Sequence, residues 1–159
     1  MRQTNAQKLK QMELAIKEAL VGRDEGGIPI GSILVEDGHV IGKGHNQRVQ
    51  RQNPILHAEI DCLENAGRIS SYRNTTLYST LMPCYLCAGA IVQFGIPNVV
   101  VGENRNFEGA AQFLKDHGVQ VTVLNQPTCV SIMSAFIRDN QELWNEDIGN
   151  PNENILRSA

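Results

Sequence analysis

Leu9, Met12, Ile16 and Leu20 recur at helical spacing behind Thr4-Asn5-Ala6-Gln7, which has the form of a capping box, and the pattern predicts a first helix ending at Gly22. The period then shortens. Ile30-Gly31-Ser32-Ile33-Leu34-Val35 and Val40-Ile41 flank Glu36-Asp37-Gly38-His39, which predicts a β-hairpin. Asn53-Pro54 stands before the apolar positions Leu56, Ile60, Cys62 and Leu63, so Asn53 is read as an N-cap, Pro54 as the first helical residue and Gly67 as the stop. A strand over Thr76-Leu77-Tyr78-Ser79 follows. Next comes a helix that opens at Pro83, runs to Phe94 and closes at Gly95. Asn98 to Gly102 predicts a strand, Ala110 to His117 a helix, and the alternating Val119, Val121 and Val123 a strand reaching Leu124. The last predicted helix runs from Thr128 to Arg138, with Val130, Met133, Phe136 and Ile137 apolar. Five strands with helices between them make an α/β protein whose mixed sheet is covered on both faces. Residues 150–159 lack a core pattern, and a loosely held tail is expected there behind a domain of residues 1–149.

Length and charge narrow the function. A chain of 159 residues with 42% hydrophobic content is long enough for one domain with a sizeable core. A net charge of −3 carries no general preference for nucleic acid, which leaves a small-molecule substrate open as the partner. No apolar run is long enough for a membrane span, and the polar N-terminus has neither a secretory nor a lipidation signal. These features point to the cytoplasm. Four cysteines do not form a convincing disulfide framework.

Chemistry concentrates in two segments, His57-Ala58-Glu59 and Pro83-Cys84-Tyr85-Leu86-Cys87. His57, Cys84 and Cys87 are ligand types for Zn²⁺, and three protein ligands leave the fourth tetrahedral position for a water whose pKa falls to about 7. Glu59 is the carboxylate left over. Deamination of an aromatic amidine needs such a group, because the ring nitrogen must gain a proton as carbon is attacked and the amine must leave as ammonia. A carboxylate that moves those protons is worth roughly 10²–10⁴ in rate. Cysteines at the start of a helix are also biased toward thiolate by its dipole. The pattern His-x-Glu followed by Pro-Cys-x-x-Cys is the signature of zinc deaminases acting on cytosine or adenine.

Simpler readings stand beside this one. A cysteine pair at this spacing also occurs in redox sites and structural zinc half-sites, and a structural zinc needs a fourth ligand. His39, His45, His117, Cys62 and Cys129 are the residues available, and none lies in a second paired motif. Cys62 and Cys129 occupy apolar helical positions and are read as buried packing residues.

Beyond the signature, the chain resembles the fungal-type cytosine deaminases over nearly its whole length. The matching stretches are Glu25-Gly26-Gly27-Ile28-Pro29-Ile30-Gly31, Gly44-His45-Asn46, Leu56-His57-Ala58-Glu59-Ile60, Val101-Gly102-Glu103-Asn104 with Asn106-Phe107, and Trp144 with Glu146-Asp147-Ile148-Gly149. The resemblance implies a three-layer α/β/α sandwich with a central five-stranded mixed sheet, a homodimer, and hydrolysis of free cytosine to uracil and ammonia in pyrimidine salvage. It also implies substrate contacts from Asn46, Ala58, Phe107, Trp144 and Asp147. In that reading Asn46 holds the polar edge of the pyrimidine, Asp147 receives the exocyclic amino group, and Phe107 and Trp144 cover the ring. For Asn46 the competing role is a satisfied turn, for the aromatics core packing, and for Asp147 a solvated tail charge. The chain departs from the family pattern at Met82, Tyr85 and Asn145, positions expected to shape the pocket and its lid. Alternative substrates are creatinine, guanine, another base or the adenosine of a tRNA. Outside enzymes, the alternative is a zinc-stabilised binding protein, which has no need of Glu59.

Overall fold

The computed structural model describes residues 2–149. Helix α1 (Asn5–Asp24) begins at the predicted capping box, with Thr4 Oγ1 accepting from Gln7 N and the Gln7 side chain accepting from Thr4 N. It runs two residues beyond Gly22, which lies buried inside the helix against the His45 ring. The hairpin follows as β1 (Gly31–Glu36) and β2 (His39–His45). Asp37 and Gly38 form its tip with φ of 48° and 84°, the paired positive values of a tight two-residue turn.

The remaining elements are α2 (Ala58–Ala66), β3 (Thr75–Leu81), α3 (Tyr85–Phe94), β4 (Asn98–Glu103), α4 (Ala111–Asp116), β5 (Gln120–Val123), α5 (Pro127–Asp139) and α6 (Gln141–Asp147). The strands lie in the order β2-β1-β3-β4-β5. β1 pairs antiparallel with β2 and β3, while β3, β4 and β5 run parallel. The sheet is therefore mixed, as predicted. Its strands divide their side chains by alternation. Ile33, Val35, Tyr78 and Val100 pack with Met12, Ala15 and Ile16 of α1 and Cys129 of α5. Leu34, Leu77, Val99 and Val101 face the other way, toward Cys62 of α2, Ala88 and Ile91 of α3 and Leu114 of α4. Helices on both faces make the expected three-layer α/β/α sandwich.

Two predicted helix starts are wrong for one reason. Asn53 does not cap α2. Its Oδ1 accepts from Ile55 N at 3.1 Å and closes a local turn, and the helix opens only after His57. Likewise α3 opens after Cys84, two residues beyond Pro83. In both places a residue suited to start a helix shapes the preceding loop instead. Helix α6 is absent from the sequence-based prediction because its seven residues are too few for a periodic signal. The expected tail, residues 150–159, lies outside the described residues.

Gly44 decides how closely α2 approaches the sheet. A Cβ at this position would sit 2.3 Å from Cys62 N, so only glycine lets the helix press against β2. That approach, together with the end of β3, brings the starts of α2 and α3 to one place. A third apolar cluster forms there, in which Ile28, Ile30, Ala58, Leu81, Met133 and Trp144 are buried and Phe107 packs against them.

Candidate active site

His57 is the N-cap of α2, with φ −66° and ψ 163°. This extended backbone explains a spacing that a regular helix forbids. Residues two apart do not share a helical face, but His57 stands outside the helix while Glu59 lies in its first turn, so both side chains reach the same cavity. The His57 side chain makes no capping hydrogen bond. Replacing a capping side chain typically costs about 0.5–2 kcal/mol, so α2 surrenders part of its stability to present an imidazole. Cys84 occupies the same place in α3, with φ −77° and ψ 179°, and Cys87 follows in the first turn.

The two helix starts converge. His57 Nδ1 lies 3.3 Å from Cys84 Sγ, and the donor atoms of His57, Cys84 and Cys87 all fall within 4.8 Å of one another. Tetrahedral Zn–S and Zn–N bonds of about 2.3 and 2.0 Å hold sulfur and nitrogen about 3.5 Å apart, close to the His57–Cys84 spacing, so the donor types and their gathering suit zinc. The Cys87 thiol, hydrogen-bonded to Cys84, draws the Cys84 thiol down to about 4 against the effect of burial, aided by His57 and the Cys87 N–H. Cys87 is pushed well up, by the same bond and then by burial. One thiolate is already favoured at this point. Burial opposes charge on His57, but Cys84 and Asp147 outweigh it and raise the ring to about 9. A favoured thiolate at Cys84 and a raised His57 mark a site that favours added positive charge, which a divalent cation would supply.

Glu59 is 4% exposed, and its Oε1 accepts from Ser79 Oγ at 2.6 Å. Burial raises its carboxyl above the ordinary range, with the Cys84 charge adding to the effect and the Ser79 bond opposing it. Ser79 was not among the predicted site residues. It shares a strand face with Leu77, and a hydroxyl in that apolar register was the available signal.

A small cavity opens beside these groups. Asn46, His57, Ala58, Glu59, Cys84, Phe107, Trp144 and Asp147 line it together with Met82 and Ile148. The predicted residues are therefore gathered in one place, with Cys87 buried in the donor cluster. For Asn46 and the two aromatics the alternative roles are present in the structure. Asn46 Oδ1 accepts from Arg48 N at 3.0 Å, as a turn asparagine does, while its Nδ2 donates to Asp147 Oδ1 at 3.4 Å. Phe107 and Trp144 belong to the apolar cluster and also meet edge-to-face over the cavity, with ring centroids 5.7 Å apart. Asp147 is not a solvated charge. It is 8% exposed, and its Oδ1 lies 3.6 Å from His57 Nε2 and 4.0 Å from the Arg48 guanidinium. Burial raises its carboxyl, against the pull of His57, Asn46 and Arg48.

Of the three departures from the family pattern, Met82 lines the cavity. Tyr85 and Asn145 do not line it, which corrects the expectation for Tyr85, whereas Asn145 lies in α6, the helix that carries Trp144 and Asp147. Tyr85 is 75% exposed, and the Asn145 side chain accepts from Gln141 on the outside of α6. Cys62 and Cys129 are buried and free, as predicted. Arg48, which also reaches Glu146 at 3.7 Å, carried no signal in the sequence.

Comparison with known proteins gives a consistent picture. Residues 5–103 match the cytidine and deoxycytidylate deaminase zinc-binding region. The chain is 46% identical over 143 residues to a cytosine deaminase of Candida albicans, covering 88% of this chain and 95% of that protein. It is 39% identical over 143 residues to a tRNA-specific adenosine deaminase of Streptococcus pyogenes serotype M18, covering 82% and 90%. Among solved structures, a tRNA:A34 deaminase aligns with a TM-score of 0.66 and 29% identity over 76% of this chain and 96% of that one. A guanine deaminase from Nitrosomonas europaea aligns with a TM-score of 0.68 over 79% and 81%, and at 19% identity that likeness speaks for the fold.

Proposed function

The chain belongs to the zinc-binding family of cytidine and deoxycytidylate deaminases, and from that membership we propose that it hydrolyses free cytosine to uracil and ammonia. His57, Cys84 and Cys87 would hold the zinc. When bound, the ion supplies a Lewis acid that makes water nucleophilic at neutral pH. Glu59 takes one proton of the attacking water and delivers it to the ring nitrogen. It then takes the second from the hydroxyl now on the ring carbon and passes it to the amine, so that the carbonyl forms as the C–N bond breaks and ammonia leaves. Its burial suits the task, since a carboxyl raised above its ordinary range holds a proton more readily for transfer. Ser79 fixes the rotamer from which that transfer starts.

Asn46 is the contact for the polar edge of the base. Its amide is held at both ends, by Arg48 N and by Asp147, so donor and acceptor are oriented before a ligand arrives. Asp147 accepts from the exocyclic amino group. Its contacts with Asn46, Arg48 and His57 all fall on Oδ1, which leaves Oδ2 for that role. Ala58, without a long side chain, leaves room for the ring, and Phe107 and Trp144 cover it.

The observation that carries the choice of a free base is α6. Trp144, Asp147 and the adjoining Ile148 close a small cavity over the His57–Glu59–Cys84 corner, where a ribose or a polynucleotide would need the same space. Ammonia release from the intact chain, measured on cytosine, cytidine, guanine, creatinine and an adenosine-bearing tRNA stem-loop, tests this. Cytosine should be strongly preferred to cytidine. Equal or better activity on cytidine or on the stem-loop would overturn the free-base reading.

Among the described residues no helix is long and apolar enough to cross a membrane. We infer a cytoplasmic homodimer acting in pyrimidine salvage. Free cysteines suit a reducing compartment, and α3 leaves Tyr85, Leu86 and Phe94 exposed, apolar surface of the kind an interface covers.

A further inference from the structure

Glu103 is fully buried at the end of β4, and among the described residues no cation pairs with it. Burying an unpaired carboxylate is costly unless hydrogen bonds satisfy it. Here they come from the loop that follows. Glu103 Oε2 accepts from Arg105 N at 2.7 Å and from Asn106 N at 3.0 Å, and Oε1 accepts from Asn106 Nδ2 at 2.9 Å. The Asn106 amide in turn donates to Val130 O of α5 at 3.1 Å. The next residue is Phe107, whose ring meets Trp144 and walls the cavity.

The carboxylate therefore sits at the centre of a turn whose product is the placement of one aromatic ring. The same strand end is joined to the metal-binding segment, since Glu103 O accepts from Met82 N at 3.0 Å and the far end of the loop returns with Ala110 N donating to Pro83 O at 2.9 Å. The loop is thus pinned at both ends beside Cys84, and its middle is set by the Glu103 bonds together with those of the Asn106 side chain to Val130 O and Ser134 Oγ of α5.

We propose that Glu103 is a positioning residue for the substrate cavity: it holds the loop after β4 so that Phe107 closes against Trp144 and sets how tightly the site grips and discriminates its ring. This rests on the free-base reading above for its kinetic consequence, but not for its structural one. A glutamine cannot reproduce the arrangement. Its oxygen can take the two backbone N–H groups, but its NH₂ then faces the Asn106 NH₂, donor against donor.

Trp144 is the single tryptophan of the chain, so its fluorescence reports the Phe107 contact without reference to turnover. Zinc-loaded Glu103→Gln should fold and keep its metal, show a red-shifted and more quenchable Trp144 emission, and raise KM for cytosine roughly 5-fold or more with a smaller change in kcat. Combined with Phe107→Ala it should add little to the KM and cytosine-over-cytidine losses of Phe107→Ala alone, because both act through one ring. Unchanged emission, or losses that add fully in the double variant, would overturn the proposal. Should Glu103→Gln fail to fold, Asn106→Ala, which removes one of its partners and leaves the backbone donors, is judged by the same two readings. A wild-type protein inactive on cytosine would defeat the substrate assignment, while the emission of Trp144 would still decide the role of Glu103.

Discussion

The cradle that gathers His57, Cys84, Cys87 and Glu59 and the cover made by α6 enclose the same cavity but are held in opposite ways. The cradle is the meeting point of two helix starts backed by the sheet, with α2 pressed against Gly44 and α3 following directly from β3. The cover has no strand behind it. It hangs from α5 by Asn140, inserts Trp144 into the third apolar cluster, and is tied across the cavity by Asp147 and Glu146 to Arg48 and by Asp147 to Asn46 and His57. Elements attached by few side chains open at lower free energy than those within a sheet. The donor cluster is thus backed by strands and helix starts, whereas the cover is a single short helix held by its side chains.

The sharpest way to break this comparison is at the cradle. Cys84→Ser should reduce zinc per chain to near background and abolish deamination, while leaving the Trp144 environment close to that of the wild type, because the cover does not depend on that sulfur. Metal analysis finding full zinc occupancy would remove Cys84 from the ligand set. Glu59→Gln should produce the next largest effect. With zinc retained, turnover should fall roughly 10²–10⁴-fold. Near-normal turnover would end its role as proton shuttle, and concurrent loss of zinc would make it a structural part of the cradle.

A change in the cover should cost less. Asp147→Ala should retain zinc and lower kcat/KM on cytosine roughly 5- to 150-fold, corresponding to about 1–3 kcal/mol for an amino group buried without its acceptor. If zinc is lost as well, the 3.6 Å approach to His57 Nε2 carries the main function of Asp147, as an outer partner of the metal ligand.

The smallest effect is expected away from both regions, at His45. Its Nδ1 lies 2.9 Å from Glu18 and its Nε2 2.7 Å from Glu25, and its backbone N–H donates to Asp61, so it ties α1 to the strand end that precedes Asn46. Burial opposes its charge, but the bonds to Glu18 and Glu25 outweigh it and lift the ring above its ordinary 6.5. The resulting stability is fully present below 6.5 and is lost as pH rises through the raised value of the folded state. The difference in Tm between the wild type and Glu18→Gln should accordingly be largest near about pH 6 and shrink above it. A difference that is constant or grows with pH would rule out His45 as the titrating partner.

The same division between cradle and cover governs how much could be read in advance. Every strand was predicted within a few residues, and so was α5, since their signals lie in alternation or helical periodicity over a continuous stretch. Helix starts at the cradle were misplaced, because Asn53 and Pro83 satisfy a loop as well as a helix, and only the loop conformation lets His57 and Cys84 stand outside their helices. Ser79 left a faint trace as a hydroxyl in apolar register. Arg48 left none, because its partners Glu146 and Asp147 lie about a hundred positions away along the chain.

What the sequence determined by itself was the kind of chemistry and the order of elements. Ligand types, their spacing within each segment, and a carboxylate two residues from a histidine are local facts, and local facts are what periodicity and motifs encode. Tertiary structure alone decided that the two helix starts meet within 4.8 Å, that Asn46 and Asp147, 101 residues apart, share a hydrogen bond, and that a seven-residue helix closes over the result. Those outcomes depend on strand order and on the close approach of α2 to β2, and no window of sequence short enough to show a pattern contains both sides of such a contact.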